Sequence, residues 1–193
     1  MTRLEQAHTL HEAAVDSRRT ANVIVRLGHL MLLQEALDVA ERTSQTGIGL
    51  ATALQDVRAV MFGHLNLVGI ALRRGSTATA ARSLLDALTM PANGYSMAET
   101  PPPPGAMEML PCVAAEAGDA FACARFRGAI DANWQRIALQ RAHAEDRFYE
   151  SFISTARSQL SVTAFDECYH AGRALPLKSA AAEGRAWLER YLA

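Results

Sequence analysis

Histidines and acidic residues at the start of the chain have the residue types of a metal site. His8 and His11 lie three residues apart beside Glu12, and on a helix two imidazoles at this spacing could face one ion. The order His-Thr-Leu-His-Glu matches neither HExxH nor HxxEH, and no third ligand is close in sequence. We interpret these residues as one face of a surface helix, and we predict no metal.

A cysteine near the C-terminus has acidic and basic neighbours, as a catalytic thiol would. Cys168 follows Asp166 and Glu167 and precedes His170. Helical spacing turns His170 away from Cys168, and two carboxylates would raise the pKa of a thiol rather than lower it. We therefore expect Cys168 to face the core. The sequence also has no GxxxxGK[ST] phosphate loop, and we predict neither a catalytic site nor a cofactor.

Arginines and two histidines give the best candidates for a binding surface. Arginines near helix ends could anchor a carboxylate or a phosphate, although solvated helix ends are an alternative reading. Two histidines recur at the same place in an apparent repeat, either as buried, hydrogen-bonded residues or as a pair of ligands. The candidate binding residues are Arg26, His29, His64, Arg73 and Arg74.

Composition favours closely packed helices. Hydrophobic residues, many of them alanine, make up 50% of the 193 residues, and aromatic residues only 6%; alanine is the best helix former. A net charge of −1 gives no general attraction to nucleic acid or to an anionic membrane. Three cysteines without a CxxC pair are typical of a reducing compartment. We expect a soluble, cytoplasmic protein that binds neither nucleic acid nor a membrane.

Apolar periodicity divides the first 90 residues into four predicted helices. The first covers residues 3–18, and Thr20 is the predicted N-cap of the second. Gly47-Ile48-Gly49 marks the predicted break before a third helix over 50–74. Gly75 is placed to end that helix in a left-handed conformation, with a fourth helix capped by Ser76 or Thr77.

The periodicity stops in a proline-rich stretch and then resumes. Residues 91–105 predict an extended linker, although Pro101–Pro104 could also be a ligand for an aromatic groove. Because a proline is tolerated in the first turn of a helix, Pro111 predicts a helix that starts close to Glu108.

Stop and cap signals divide the rest of the chain, giving about nine helices in all. Gly118-Asp119 predicts a stop followed by an N-cap, Ser161 another N-cap, and Pro176 the start of the last helix. We expect N-terminal hairpins over 1–90, the linker, and C-terminal helices over 106–193, in one continuous solenoid domain.

An internal repeat suggests how these helices stack. Gly28-His29-Leu30-Met31-Leu32 recurs 35 residues later as Gly63-His64-Leu65-Asn66-Leu67, close to the tetratricopeptide period of about 34 residues. The predicted fold is all-α: stacked antiparallel helical hairpins, a tetratricopeptide-like α-solenoid.

The second half of the chain resembles a known family. Val113-Ala114-Ala115-Glu116-Ala117-Gly118-Asp119 and Ala124-Arg125-Phe126-Arg127-Gly128-Ala129, within Met107–Ala132, are similar to the last repeats of LuxR-type bacterial regulators that carry a STAND-type ATPase. Leu160-Ser161, Ala164-Phe165, Tyr169, Gly172-Arg173-Ala174-Leu175 and Leu177 resemble the segment that closes this repeat region. The resemblance implies a tetratricopeptide-like sensor region, either excised from such a regulator or a free-standing relative.

The function expected from these observations is binding rather than catalysis. The leading hypothesis is a regulatory interaction module that offers a curved surface to a protein or peptide partner, or to other domains of a larger regulator. The alternative is a structural protein that forms a homodimer through its long N-terminal helices. A small-effector-binding domain or an enzyme is less favoured.

Overall fold

The computed structural model describes the backbone of residues 3–90, 104–138 and 141–193, and the side chains from residue 16 onward within these ranges except at Pro104. The predicted all-α class is confirmed: the described residues form nine helices and no strand. The helices are α1 (Arg3–Leu33), α2 (Leu37–Ala53), α3 (Val57–Arg73), α4 (Thr77–Thr89), α5 (Pro104–Glu116), α6 (Ala120–Arg136), α7 (His143–Ser158), α8 (Val162–Arg173) and α9 (Leu177–Leu192).

The first helix is much longer than predicted. The expected cap at Thr20 was wrong, because Thr20 lies inside α1 and its hydroxyl donates to the carbonyl oxygen of Asp16, four residues earlier, at 2.9 Å. A threonine that makes this bond serves the interior of a helix rather than its start. The helix therefore continues to Leu33.

The break predicted at Gly47-Ile48-Gly49 was also wrong, since all three residues lie inside α2. Gly47 is required by packing rather than by a turn. A Cβ at Gly47 would lie 2.6 Å from Cγ2 and 3.1 Å from the backbone nitrogen of Val25 in α1. The absence of a side chain lets the two helices approach closely.

Turns of one kind join most of the helices and set the period of the stack. The left-handed residues are Glu35, Gln55 and Gly75, and later Gly118 and Ala138, each 20 residues from its neighbour within the two groups. After each of the first four, the next N–H donates to the carbonyl five residues earlier, at 2.8 to 3.0 Å. This is the Schellman arrangement, and it confirms the predicted stops at Gly75 and Gly118.

The 20-residue spacing shows that the 35-residue sequence repeat is not the structural one. Gly28 lies seven residues before the left-handed Glu35, whereas Gly63 lies twelve residues before Gly75. His29 and His64 consequently occupy different places in their helices. Two helices with their turns, 40 residues, form one hairpin of this stack.

Helix α5 is the most enclosed element of the described structure. Every residue from 106 to 115 is buried, and α5 packs on α3, α4, α6 and α7. The helix begins at Pro104, so the predicted start near Glu108 was wrong and Pro111 lies in the helix interior. A proline there costs roughly 3 kcal/mol, which burial on all sides offsets.

Caps begin the later helices as predicted. The carboxylate of Asp119 accepts from the backbone N–H of Ala122 at 2.9 Å, and Ser161 Oγ accepts from that of Ala164 at 3.2 Å. Pro176 precedes α9. Residues 91–103, the rest of the predicted linker, lie outside the described structure.

The helices stack as tetratricopeptide-like hairpins, and the stack curves until it meets itself. The odd-numbered helices form an inner layer in which α1 packs on α3, α3 on α5 and α5 on α7, while α7 also contacts α1. Helix α9 likewise returns to α4. One hydrophobic cluster extends from Leu32 to Leu188. None of the helices described has the length and apolar character required to cross a membrane.

Candidate functional site

The inner layer encloses a cavity of about 480 Å³, which we call the inner cavity. All four inner helices, α1, α3, α5 and α7, contribute side chains to it. Its apolar walls are Val25, Phe62, Leu65 and Met109. This volume, with mostly apolar walls and a few polar groups, is typical of a small-molecule site.

Asn66 is a buried amide on the wall of the inner cavity. It is 4% exposed, and its Nδ2 donates to the carbonyl of Val25 at 2.9 Å and to Ser44 Oγ at 3.2 Å. These bonds hold α1, α2 and α3 together. Within the described structure its Oδ1 accepts no hydrogen bond, so an acceptor is left beside the cavity.

The contact between α1 and α7 includes a histidine and a glutamate on the cavity wall. His29 Nε2 lies 3.3 Å from Glu145 Oε1. The other oxygen of Glu145 accepts from the N–H of Ala142 at 3.3 Å. The hydrogen bond to His29, followed by the bond from Ala142, lowers the pKa of Glu145. Glu145 is therefore a carboxylate whose bonding capacity is largely used by the protein.

Tyr149, one turn further along α7, lines the inner cavity without a polar partner. It is 6% exposed and packs edge-on against Phe148. Its hydroxyl makes no hydrogen bond with any residue described. Burial raises the pKa of Tyr149 well above its ordinary value, so the phenol is a neutral donor and acceptor. Buried phenols ordinarily have a hydrogen-bond partner, which makes this one unusual.

Two arginines supply the positive charge of the inner cavity. Arg26 of α1 and Arg58 of α3 are exposed residues that also line the cavity. Arg58 lies 5.8 Å from the centre of the Phe62 ring. Neither guanidinium forms an ion pair with a carboxylate in the described structure. By contrast Asp56 caps α3 at 3.0 Å and accepts from Asn22 at 3.1 Å.

A second concavity of about 480 Å³ lies between α6, α7 and α8; we call it the charged groove. Its centre is a chain of ion pairs. Arg141 Nε donates to both oxygens of Glu108 at 3.0 Å, and its Nη2 donates to Asp131 at 2.8 Å. Asp131 also accepts from Arg127 at 2.8 Å and from the Tyr169 hydroxyl at 3.1 Å.

Glu108 anchors this network in the interior. Its side chain is 4% exposed, and it also accepts from Trp134 Nε1. Burial raises the pKa of Glu108, against the opposing effects of Arg141 and Trp134. Arg127 adds a bond to Glu150 at 3.0 Å. Since nearly every charge faces an opposite charge inside the groove, its chemistry is that of a structural network.

Of the five residues predicted as a binding surface, the structure brings Arg26 and His29 together at the inner cavity and places the other three elsewhere. Arg74 is held by Asp38 and Glu41 of α2, both at 2.7 Å. Arg73 lies over the rings of Phe148 and Phe152, at 4.7 and 4.8 Å from their centres. His64 is half-buried near Asp86, and burial lowers its pKa.

Sequence reasoning missed the residues that α7 and the middle of α3 bring to the inner cavity. Tyr149 and Asn66 carried no motif, and their role depends on the contact between helices far apart in the chain. Asn66 had one available signal, a polar residue within the apolar run of α3. No signal in the sequence distinguished Tyr149 from the other aromatic residues near it.

Cysteines and metal ligands form no site among the described side chains. Burial raises the pKa of Cys123 to about 12 and that of Cys112 well above its ordinary value. Cys168 packs against the core, as expected. No group of three or more His, Cys, Asp or Glu side chains that could hold a metal ion occurs among them. His8, His11 and Glu12 lie outside the described side chains.

Comparison with family models, with curated proteins and with solved structures finds no match. The geometry of the inner cavity and of the charged groove is therefore the basis for the functional conclusion.

Proposed function

We propose that the protein is a non-catalytic, cytoplasmic regulatory module that binds a ligand in its inner cavity and transmits that binding to a partner protein or a larger regulator. The observation that carries the proposal is the cavity itself. Four helices enclose it, and Tyr149 and Asn66, both almost fully buried, present unused hydrogen-bonding groups to it. Curved helical stacks commonly bind through their concave layer.

The means of transmission is the contact that closes the stack. A ligand in the inner cavity touches α1 and α7 at once, and the bond between His29 and Glu145 joins these two helices. Ligand binding would favour the closed arrangement over a more open one, because only the closed arrangement offers all four walls. The resemblance to the sensor regions of STAND-type regulators agrees with this role.

Absence of catalysis is the second part of the proposal. The two buried thiols, Cys112 and Cys123, are held in the unreactive protonated form by burial, since the thiolate is the nucleophile. The charged residues of the second concavity are occupied with one another. These features support a binding role.

The test of this function is a ligand screen with a variant that fills the cavity. A Cβ at Gly105, on the wall of the inner cavity, would lie 3.4 Å from Leu65 Cδ1 and 3.6 Å from Phe62 Cε1. Gly105→Leu therefore directs apolar volume into the cavity, whereas Gly49→Leu adds the same volume to an open face of α2. The screen covers organic acids, amines, neutral compounds and short peptides.

We expect at least one of these classes to raise the melting temperature of the wild type and of Gly49→Leu but not that of Gly105→Leu. The same ligand should slow hydrogen exchange in α1 and α7. The proposed function is rejected if no class binds, or if every binding class binds Gly105→Leu equally well.

Self-association is a second candidate, favoured by one exposed surface. Val23, Leu27 and Leu30 follow one another at helical spacing on α1, and they are 55%, 42% and 49% exposed. A stripe of this kind can pair with the same stripe of a second copy. Light scattering over a range of concentrations tests this, with Leu27→Glu expected to give a monomer. A wild type that stays monomeric at every concentration rejects it.

A further inference from the structure

We propose that the ligand of the inner cavity is a small organic acid: one negatively charged group on a compact apolar body that also carries a hydrogen-bond donor. This inference rests on the proposed binding function and specifies its ligand. It follows from which groups of the cavity are already bonded and which are left over.

The charge of the ligand follows from the arginines. The acids on the cavity wall are used by the protein: Asp56 accepts from Ala59 N–H and from Asn22, and Glu145 from His29 and Ala142. Arg26 and Arg58 have no carboxylate partner in the described structure. The charge left unbalanced is positive, and a guanidinium binds a carboxylate through parallel, charge-assisted hydrogen bonds.

The rest of the ligand follows from the deeper walls. Phe62, Leu65 and Met109 offer an apolar surface, which favours a compact apolar body. Asn66 Oδ1 needs a donor, and the Tyr149 hydroxyl can donate or accept. An acid that carries a hydroxyl or N–H group away from its carboxylate satisfies the arginines and the buried groups together. A cation would instead meet two guanidiniums with no free carboxylate to compensate them.

Three probes with one ring and different charges test the inference: 4-hydroxyphenylacetate, its neutral methyl ester, and the cationic amine tyramine. Phenylacetate is the fourth probe, since it lacks the hydroxyl donor. Dissociation constants are measured by titration followed by NMR of the full-length protein. The variants are wild type, Arg26→Ala/Arg58→Ala, Tyr149→Phe, and Arg74→Ala as a control that loses an arginine outside the cavity.

The wild type and Arg74→Ala are expected to bind 4-hydroxyphenylacetate roughly tenfold more tightly than the ester or tyramine, because charge-assisted hydrogen bonds favour the acid. Arg26→Ala/Arg58→Ala should bind acid and ester equally. Tyr149→Phe should keep the preference for the acid but reduce the advantage of 4-hydroxyphenylacetate over phenylacetate.

The inference is overturned if none of the four probes binds, if acid and ester bind alike to the wild type, or if Arg26→Ala/Arg58→Ala keeps the preference. A neutral or cationic probe that binds the wild type but not Gly105→Leu would overturn the choice of an acid while supporting the proposed binding function. The two failures are therefore distinguishable.

Discussion

The inner cavity and the charged groove have the same volume, about 480 Å³, but they use their polar residues in opposite ways. In the groove, Arg141, Asp131 and Glu108 bond one another. In the cavity, Arg26, Arg58 and the Tyr149 hydroxyl have no partner in the described structure. Volume alone therefore does not identify a binding site here. Groups whose bonding capacity is unused mark the surface that has room for a ligand.

The largest expected difference between the two regions comes from a single methyl group. The groove lies where α6 and α8 touch, and a Cβ at Gly128 would lie 1.9 Å from the backbone oxygen of Tyr169. Because a backbone cannot yield as a flexible side chain does, Gly128→Ala should destabilise the fold by at least about 4 kcal/mol. Gly105→Ala on the cavity wall has ordinary contacts and should change stability little. Urea unfolding of both variants measures this, and equal midpoints would contradict it.

Removing one arginine from each region gives the next largest contrast. Arg141→Ala leaves the buried Glu108 carboxylate without its charged partner, which should cost roughly 3 to 5 kcal/mol. Arg58→Ala removes an exposed, unpaired guanidinium, and a change within about 0.5 kcal/mol is expected. Chemical denaturation of both proteins provides the comparison. A loss for Arg58→Ala as large as that for Arg141→Ala would mean that the cavity arginines have a structural role.

Removal of a hydroxyl from a tyrosine in each region should have a smaller effect. Tyr169→Phe loses the bond to Asp131 and should cost about 1 kcal/mol. Tyr149→Phe loses no protein hydrogen bond and should leave stability unchanged or slightly improved, while it alters ligand binding. Thermal unfolding without ligand is the measurement. Clear destabilisation by Tyr149→Phe would show that its hydroxyl already has a partner.

The two regions should also respond to pH in opposite directions, although by the smallest amounts. Burial raises the pKa of Glu108, so its contribution to stability is present below its unfolded pKa, about 4.3, and is lost as pH rises through the folded value. The His29 bond lowers the pKa of Glu145. Its contribution is present above the unfolded pKa and is lost as pH falls through the folded value.

The free energy of unfolding of the wild type, Glu108→Gln and Glu145→Gln, measured in steps from acid to neutral pH, separates these effects. Subtracting each variant from the wild type should give two curves of opposite slope. Curves of the same slope would mean that one of the two carboxylates titrates in a different environment.

The sequence predicted the fold best where turns use residues with a distinctive conformation. Gly75 and Gly118 are left-handed glycines, and both helix ends were found. Glu35 and Gln55 adopt the same left-handed conformation without a glycine, so nothing in their residue type marked the turns. Gly47 gave the opposite error, because glycine serves close helix packing as well as turns.

The candidate site was predictable only in part, for a reason of distance along the chain. Arg26 and His29 were identified, and both line the inner cavity because they share a face of α1. The partner of His29 is Glu145, 116 residues away, and no local pattern links them. The equivalence of His29 and His64 depended on a 35-residue repeat that the 20-residue spacing of the turns replaces.

The contact of α1 with α7 has a consequence for how the molecule folds and for how its size can change. A linear repeat array can gain or lose hairpins at either end and unfold one hairpin at a time. Here an inserted hairpin would separate α1 from α7, so the number of layers is fixed by closure. A contact between such distant residues raises the contact order, which slows folding. It also couples the first helix to the seventh, so that both should be lost in one cooperative step.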